Sequence, residues 1–364
     1  MVDESIPQGP DKFRDFLTYL RKPCGKRESM DMVKILCYTV KNERGMAVEE
    51  LLDKLRRDRW LSVREYTQLL QEPLIEKARR LADRERRGRF GTRVYLRGLI
   101  DMGSICIHDC AACHQRYSAD HTRYRMRPRE ILDCCEDAWN LGFRSFYLRS
   151  GADLFYTDKM LCSLLGQIRE HFPGCTLGLA LGERSRESLR MLSDAGADRY
   201  VLLHETADPD RFRRDHPTQL EYEGRLHCLN LLKDAGFQTV CGFLVGQESA
   251  EELAKELKFL EEFQPHGVEL LPMGAEPERI EYLISLIRLM LPDAWITAPD
   301  NAPGQILAGA NVVTRSLIRS RRSHPICGGC RADGPADPEN LAALHRELAE
   351  IGFEIDLSLP PWTG

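Results

Sequence analysis

No apolar run in this chain approaches the roughly 20 residues needed to cross a bilayer. The stretch 1–22 is polar and lacks the apolar core of a secretion signal. The expectation is a cytoplasmic protein without a membrane partner. Charge of one sign is scarce as well: 51 Lys and Arg stand against 56 Asp and Glu, for a formal charge of −5. That balance gives no electrostatic case for nucleic acid. Basic clusters at 79–89 and 315–322 are interleaved with acidic or apolar residues, or lie near segments with other duties. They read as solvated faces or a substrate-anion patch. No fixed-period repeat is present. A hydrophobic content of 43% with 29% charged residues excludes a disordered or fibrous chain.

What the sequence does contain is alternation. Short β-rich runs recur at 93–100, 145–149, 176–181, 199–204, 239–245, 267–272, 294–298 and 310–314. Between them lie stretches with apolar residues at i, i+3 and i+4, among them 128–141, 185–194, 221–235, 250–263 and 277–291. Gly142, Gly196, Gly236 and Gly267 stand where a helix hands over to a strand, the usual place of a helix-ending glycine. Strand–helix alternation repeated in this way predicts an α/β protein of the (β/α)8 TIM-barrel type. The segment joining the last two strands is short, so a partly open barrel reads the same way. Residues 1–90 differ. They are charged and helical in pattern at 11–20, 30–41, 48–57 and 62–83, and read as a helical N-terminal extension. The barrel is expected over 91–316. A tail over 317–364 holds a closing helix at 341–351 and a strand-like 353–357.

Thirteen cysteines in a reducing compartment point to metal or catalysis more than to disulfides. Cys106, Cys110 and Cys113 follow the first strand in the pattern Cys-x3-Cys-x2-Cys. Short spacers let one tight loop aim three thiolates at a [4Fe-4S] cluster, and loops after barrel strands form the catalytic face. Three thiolates for four irons leave one iron open. The alternatives are a zinc site completed by His108 or His114, or incidental thiols, although structural zinc more often uses paired Cys-x2-Cys knuckles. Cys327-Gly-Gly-Cys330 follows the barrel and reads as a remnant, a labile metal site or a redox dithiol. Cys134 and Cys135 read as helix packing, and the remaining single cysteines as small hydrophobes.

The cysteine loop resembles the hallmark of the radical S-adenosylmethionine (SAM) superfamily, and the likeness extends over residues 90–315. It is similar to the branch holding the [FeFe]-hydrogenase maturase HydE, methylornithine synthase (PylB) and, more distantly, biotin synthase. The matching residues are Arg123-Tyr124-Arg125-Met126 with Pro128, Ser150-Gly151, Leu181-Gly182-Glu183, and 195–200 leading into His204-Glu205-Thr206-Ala207. Gly224-Arg225 and Gly309-Ala310-Asn311-Val312 complete them. The resemblance implies that Cys106, Cys110 and Cys113 hold the cluster and that SAM chelates the open iron through its amino and carboxylate groups. It implies that Glu205 receives the SAM amino group or a ribose hydroxyl, and that Arg225 faces the ribose or carboxylate. Ser150 and Gly151 would let the cofactor pass close to the backbone, and Arg125 would anchor the cluster loop. Glu183 reads either as a barrel-top carboxylate or as a helix N-terminal charge. Without the resemblance, Glu205 reads as a surface salt bridge at a strand end.

The chain also departs from its relatives. Ala112 stands where an aromatic usually precedes the third cysteine, and His114 where the maturase commonly has Gly. Ser150-Gly151-Ala152-Asp153 lacks a carboxylate at position 152 that Asp153 would have to replace. Leu203 takes the place of an inward Arg, and the loop 272–276 is clipped. The resemblance implies an enzyme that reductively cleaves SAM to a 5′-deoxyadenosyl radical acting on a small-molecule or organometallic substrate inside the barrel. An electron donor such as ferredoxin or flavodoxin would serve it. A HydE-like role in [FeFe]-hydrogenase maturation, a PylB-like rearrangement of an amino-acid skeleton, and a degenerate iron–sulfur scaffold are the three readings. Arg149, His204, Glu269 and Asp300, near strand ends, are candidate substrate contacts.

Overall fold

The computed structural model describes residues 47–317 and 337–357. The chain falls into two units, Met1–Ala47 and Val48–Gly364, and every described element belongs to the second. The expected helices at 11–20 and 30–41, and the pair Cys327 and Cys330, lie outside the described residues. Among the described residues no helix is long and apolar enough to cross a membrane.

Eight parallel strands form the frame: β1 (Arg93–Gly103), β2 (Ser145–Ser150), β3 (Thr176–Ala180), β4 (Arg199–Val201), β5 (Gln238–Val245), β6 (Gly267–Pro272), β7 (Trp295–Ile296) and β8 (Val312–Ser316). Their order is β7-β6-β5-β4-β3-β2-β1-β8. The one unsealed seam lies between β7 and β8. There a lone bridge from Thr297 to Val312, with Ala298 N–H on Val312 O at 2.8 Å, stands in for a ladder. Two residues of β7 are too few to extend it. The sheet is thus a nearly closed barrel, as the short connection between the last strands led one to expect.

Helices α1 (Val48–Asp58), α2 (Val63–Gln71) and α3 (Ile75–Phe90) precede β1. The pattern at 62–83 reads as one helix but folds as two, because Pro73 has no N–H to continue the ladder. Ser62 and Glu65 close a capping box at the start of α2. Outside the barrel lie α4 (Pro128–Asn140), α5 (Asp158–His171), α6 (Arg186–Asp194), α7 (Pro209–Asp215), α8 (Tyr222–Asp234), α9 (Ala250–Phe263), α10 (Pro277–Met290) and α11 (Pro303–Leu307). The Tyr66 hydroxyl donates to Glu261 of α9 at 2.8 Å, and Tyr282 of α10 donates to Leu69 O at 2.8 Å. These bonds fasten the N-terminal helices to the barrel wall. The tail returns as α12 (Pro338–Glu350) and β9 (Glu354–Asp356), which pairs with the start of β1.

Side chains alternate across each strand, and one set fills the barrel. Its floor is Phe90, Tyr95, Trp295 and Val312. Above them lie Leu99, Tyr147, Val201 and Val240, with Ala180 and Leu203 packed against them. The floor is therefore closed, and ligands reach the lumen only from the C-terminal ends of the strands.

Candidate active site

The loop 104–127 leaves β1 without regular structure, so its carbonyls need partners from elsewhere. One side chain supplies them. Arg123 donates to the carbonyls of Ser104 (2.5 Å), Gln115 (2.9 Å), Arg116 (2.6 Å), Tyr117 (3.2 Å) and Ala119 (2.9 Å). A planar guanidinium with five donors suits such a hub. Inside the loop, Cys113 N–H reaches Cys110 O at 3.1 Å and His108 N–H points at the Cys106 sulfur at 3.4 Å.

Arg125 does something other than the expected anchoring of this loop. It grips Asp153 with two bonds of 2.7 Å, and its guanidinium lies over the Phe155 ring. Asp153 is thereby committed to Arg125 and does not replace the carboxylate missing at Ala152. Gly151 also has a more specific part than expected. A Cβ there would lie 2.6 Å from Ile105 O and 2.7 Å from Cys106 Cβ. The end of β2 thus touches the backbone that bears the first cysteine, and Ile107 N–H bonds Ala152 O at 3.0 Å beside it. Ser150 is buried, and its hydroxyl bonds Gly151 O.

Across the barrel mouth, Glu205 and Arg225 meet. Arg225 Nη1 donates to Glu205 Oε1 at 2.9 Å and to Leu203 O at 2.7 Å, while its Nε donates to Glu183 at 2.6 Å. Glu183 and Glu205, far apart in sequence, are brought together by one guanidinium. His216 Nε2 lies 2.9 Å from the other oxygen of Glu205. Glu205 adopts φ +67°, a left-handed conformation costly for a residue with a side chain. Two backbone bonds to β5 hold it there, from its N–H to Gly242 O and from Leu244 N–H to its carbonyl. Burial opposes its charge, but Arg225 and His216 outweigh that and pull its pKa down to about 2. The Tyr200 hydroxyl bonds Gly182 O at 2.8 Å and sets the turn that presents Glu183. The surface salt-bridge reading of Glu205 is replaced by a shielded ion cluster at the mouth of the lumen.

The four candidate substrate contacts separate. Arg149 points inward and pairs with Asp101 through two bonds of 2.9 and 2.7 Å. Glu269 also points inward, bonded to Arg97 at 2.7 Å above the lumen floor. His204 faces away from the lumen: it is fully buried against α9, with Nε2 2.8 Å from Glu256 and Nδ1 3.2 Å from the Cys241 sulfur. Asp300 is spent on an outer turn, bonded to Gln305. Leu203 packs against the apolar lumen layer. A cleft of about 450 Å3 opens beside the cluster loop between the ends of β2 and β3, lined in part by His108, Ala152, Leu154, Glu183 and Arg184.

Do these residues fit the cofactors that the resemblance implies? The three cysteines are half-buried and none is in a disulfide. Burial, with Glu205 and Cys106 nearby, pushes the Cys110 thiol up to about 12. A thiolate there needs a cationic partner, which iron supplies. Among the described residues no three His, Cys, Asp or Glu side chains converge as a site for a single metal ion. A cubane asks for a wider set, since each thiolate meets its own iron. Gly151 leaves the loop room to lie against β2, and Glu205, Glu183 and Arg225 stand on the same face. The residues present fit.

Comparison with known proteins agrees. The profile of the radical SAM superfamily matches residues 100–260. The chain is 32% identical over 295 residues to the [FeFe] hydrogenase maturase subunit HydE of Thermotoga maritima, covering 74% of this chain and 81% of that protein. It is 26% identical over 307 residues to the 3-methylornithine synthase of Methanosarcina acetivorans, covering 79% and 87%. The crystal structure of methylornithine synthase (PylB) has the same barrel, with a TM-score of 0.73 at 22% identity over 84% of this chain and 97% of that one. With the cysteine loop, the strand-end carboxylates and these relatives in agreement, the chain belongs to the radical SAM superfamily and is a radical SAM enzyme, a family that implies a [4Fe-4S] cluster and SAM.

Proposed function

We propose that this enzyme is a HydE-like maturase, acting in assembly of the [FeFe]-hydrogenase active site or in a paralogous role. The observation behind the reading is the 32% identity that spans 81% of HydE. Cys106, Cys110 and Cys113 would hold the cluster. Cluster and SAM, when bound, supply a carbon-centred radical through reductive cleavage of the sulfonium C–S bond. The chain's own residues orient and shield that chemistry. Glu205 accepts from the SAM ammonium or a ribose hydroxyl, Arg225 fixes Glu205 and Glu183 on one side, and the Ser150–Gly151 backbone lines the other. The closed floor of the barrel keeps water out of the lumen. The substrate, organometallic or a small molecule, would lie in the lumen against Arg149 and Asp101. A ferredoxin or flavodoxin would deliver the electron.

A second reading rests on Leu203, which makes the lumen wall apolar where the maturase has Arg, and on the match to 87% of a 3-methylornithine synthase. It makes the reaction a rearrangement of an amino-acid skeleton.

The test is anaerobic reconstitution with iron and sulfide, then SAM and dithionite, with 5′-deoxyadenosine followed by chromatography. Next, the protein replaces HydE in a maturation mixture that lacks it. Activation of apo-hydrogenase is the expected result. SAM cleavage without activation, but with methylornithine formed from an amino acid, favours the second reading. A loaded cluster that cleaves no SAM in either mixture overturns both and leaves the scaffold.

A further inference from the structure

We propose that His216 is a positioning residue: as an imidazolium it holds Glu205 in the orientation that receives SAM. The inference rests on the reading of Glu205 given above, and it starts from hydrogen-bond accounting. His216 Nδ1 lies 2.9 Å from Phe212 O, and Nε2 lies 2.9 Å from Glu205 Oε2. A carbonyl and a carboxylate only accept. Both ring nitrogens must therefore carry hydrogen, and a histidine with both protons is a cation.

The carboxylate takes a partner on each oxygen, Arg225 on Oε1 and His216 on Oε2. Arg225 alone would leave the group free to turn about a single bond. His216 fixes the second oxygen and so the plane. Its own ring is fixed in turn, stacked on Phe212 with centroids 3.9 Å apart and 12° between planes. Both residues come from α7 and its end, a helix started by Asp208, whose side chain accepts from Asp210 N–H and Arg211 N–H. The last residue of α7, Asp215, accepts Ala111 N–H at 2.8 Å, one residue after Cys110. One short element thus touches both the loop with the cysteines and the carboxylate opposite it.

The charged groups around His216 are Glu205, Arg225 from α8 and His108 from the cysteine loop, with Glu183 beyond Arg225. Two carboxylates are balanced by one guanidinium and one imidazolium. Burial disfavours the charge on His216, yet Glu205 and Phe212 O raise its pKa above the ordinary value. Loss of that proton leaves two anions on one cation, with a single N–H for Phe212 O and Glu205 Oε2 to share.

The experiment uses the full chain reconstituted with iron and sulfide, and SAM as the probe. His216→Phe keeps the ring stack and removes both donors; His216→Gln restores one. Equilibrium binding of SAM is measured from pH 6 to 9 beside iron and sulfide content. Ring 15N shifts of His216 are recorded in the wild type. We expect SAM binding about tenfold weaker in the Phe variant, at unchanged cluster content, with most of it regained in the Gln variant. Wild-type affinity should fall as pH rises through the His216 pKa, and the Phe variant should lack that fall. Both ring nitrogens should be protonated at neutral pH. A Phe variant matching the wild type in affinity and pH profile overturns the proposal. So does its loss of cluster, which would make His216 a residue of the fold, and so does a single neutral tautomer. Should the Phe variant not fold, the wild-type ring shifts decide. Failure of the wild type itself to load a cluster counts against the cofactor reading instead.

Discussion

Arg123 and Arg125, two residues apart, serve different masters: the first holds five carbonyls of the cysteine loop, and the second holds Asp153 at the end of β2. The family resemblance implies the loop anchor at Arg125. Arg123→Ala should leave those carbonyls without a common donor and let the loop open. Iron content after reconstitution should fall by more than half. Arg125→Ala strands the buried Asp153 carboxylate, at a cost of about 2 kcal/mol, discounted because Arg125 itself is partly exposed. Its cluster content should stay near wild type while its melting temperature drops. Iron analysis with a thermal melt separates the two. The opposite pattern would return the anchor to Arg125.

Gly151 makes a sharper test of the contact between β2 and the cysteine loop. A methyl group there meets Ile105 O at 2.6 Å and Cys106 Cβ at 2.7 Å, and backbone cannot yield as a flexible side chain does. Gly151→Ala should load little cluster, read as loss of broad visible absorbance. Gly166, exposed in the middle of α5, has nothing within 4 Å of an added Cβ. Gly166→Ala should load normally and stabilise the fold by about 0.5–1 kcal/mol. Equal loading in both variants would mean that the loop does not rest on β2 in the loaded enzyme.

Much of this architecture is legible in the chain, and what is not has physical reasons. All eight β-rich runs become strands because each joins an apolar core to a helix with i, i+3, i+4 spacing. β4 ends at Val201, short of 204, and Glu205 rejoins β5 only as a lone bridge to Phe243, in a left-handed conformation that no periodicity announces. His204 reads as a substrate contact, yet it follows Leu203, which faces the lumen, and turns to the opposite side. With Glu205 facing the mouth, His204 had to face α9. His216 escapes the periodicity because α7, Pro209–Asp215, is short and mostly charged, with no apolar stripe. A signal did exist. Asp208-Pro209 is a cap followed by a first-turn proline, and His216 comes just before Pro217, where a helix must stop. The ion pair Asp101–Arg149 depends on the register of β1 with β2, and Arg97–Glu269, from β1 to β6, on the closure of the barrel.

His204 gives a prediction in pH. Burial works against a charge on its ring, Cys241 and Glu256 favour one, and the balance holds its pKa at about 9. The folded value lies above the unfolded one of about 6.5. Its contribution to stability is therefore complete below about 6.5 and drains away as pH rises towards 9. Glu256 also accepts the Thr206 hydroxyl at 3.0 Å and Ala207 N–H at 2.8 Å. Glu256→Gln should cost about 2–3 kcal/mol at pH 6 and less at pH 9. Urea midpoints at the two pH values check this, and a loss that does not change with pH would show His204 to be neutral in the fold.

Arg225→Lys tests the guanidinium at the mouth of the lumen. Arg225 serves Glu183, Glu205 and Leu203 O at once through a planar fork, and one ammonium on a flexible stem cannot keep all three. SAM affinity should drop by tenfold or more at neutral pH, as for loss of a charge-assisted bond. The more telling result lies in acid. Burial raises the Glu205 pKa, and Arg225, followed by His216, is what brings it down to about 2 in the wild type. The carboxylate is then ionised throughout the usable range, so wild-type affinity has no carboxyl titration above pH 5. A misplaced ammonium offsets burial less well, the Glu205 pKa climbs, and the variant loses further affinity as pH falls from 7 to 5. SAM binding across that range distinguishes the outcomes. A variant with a uniform deficit at every pH would mean that Arg225 acts on SAM directly and leaves the charge of Glu205 to His216.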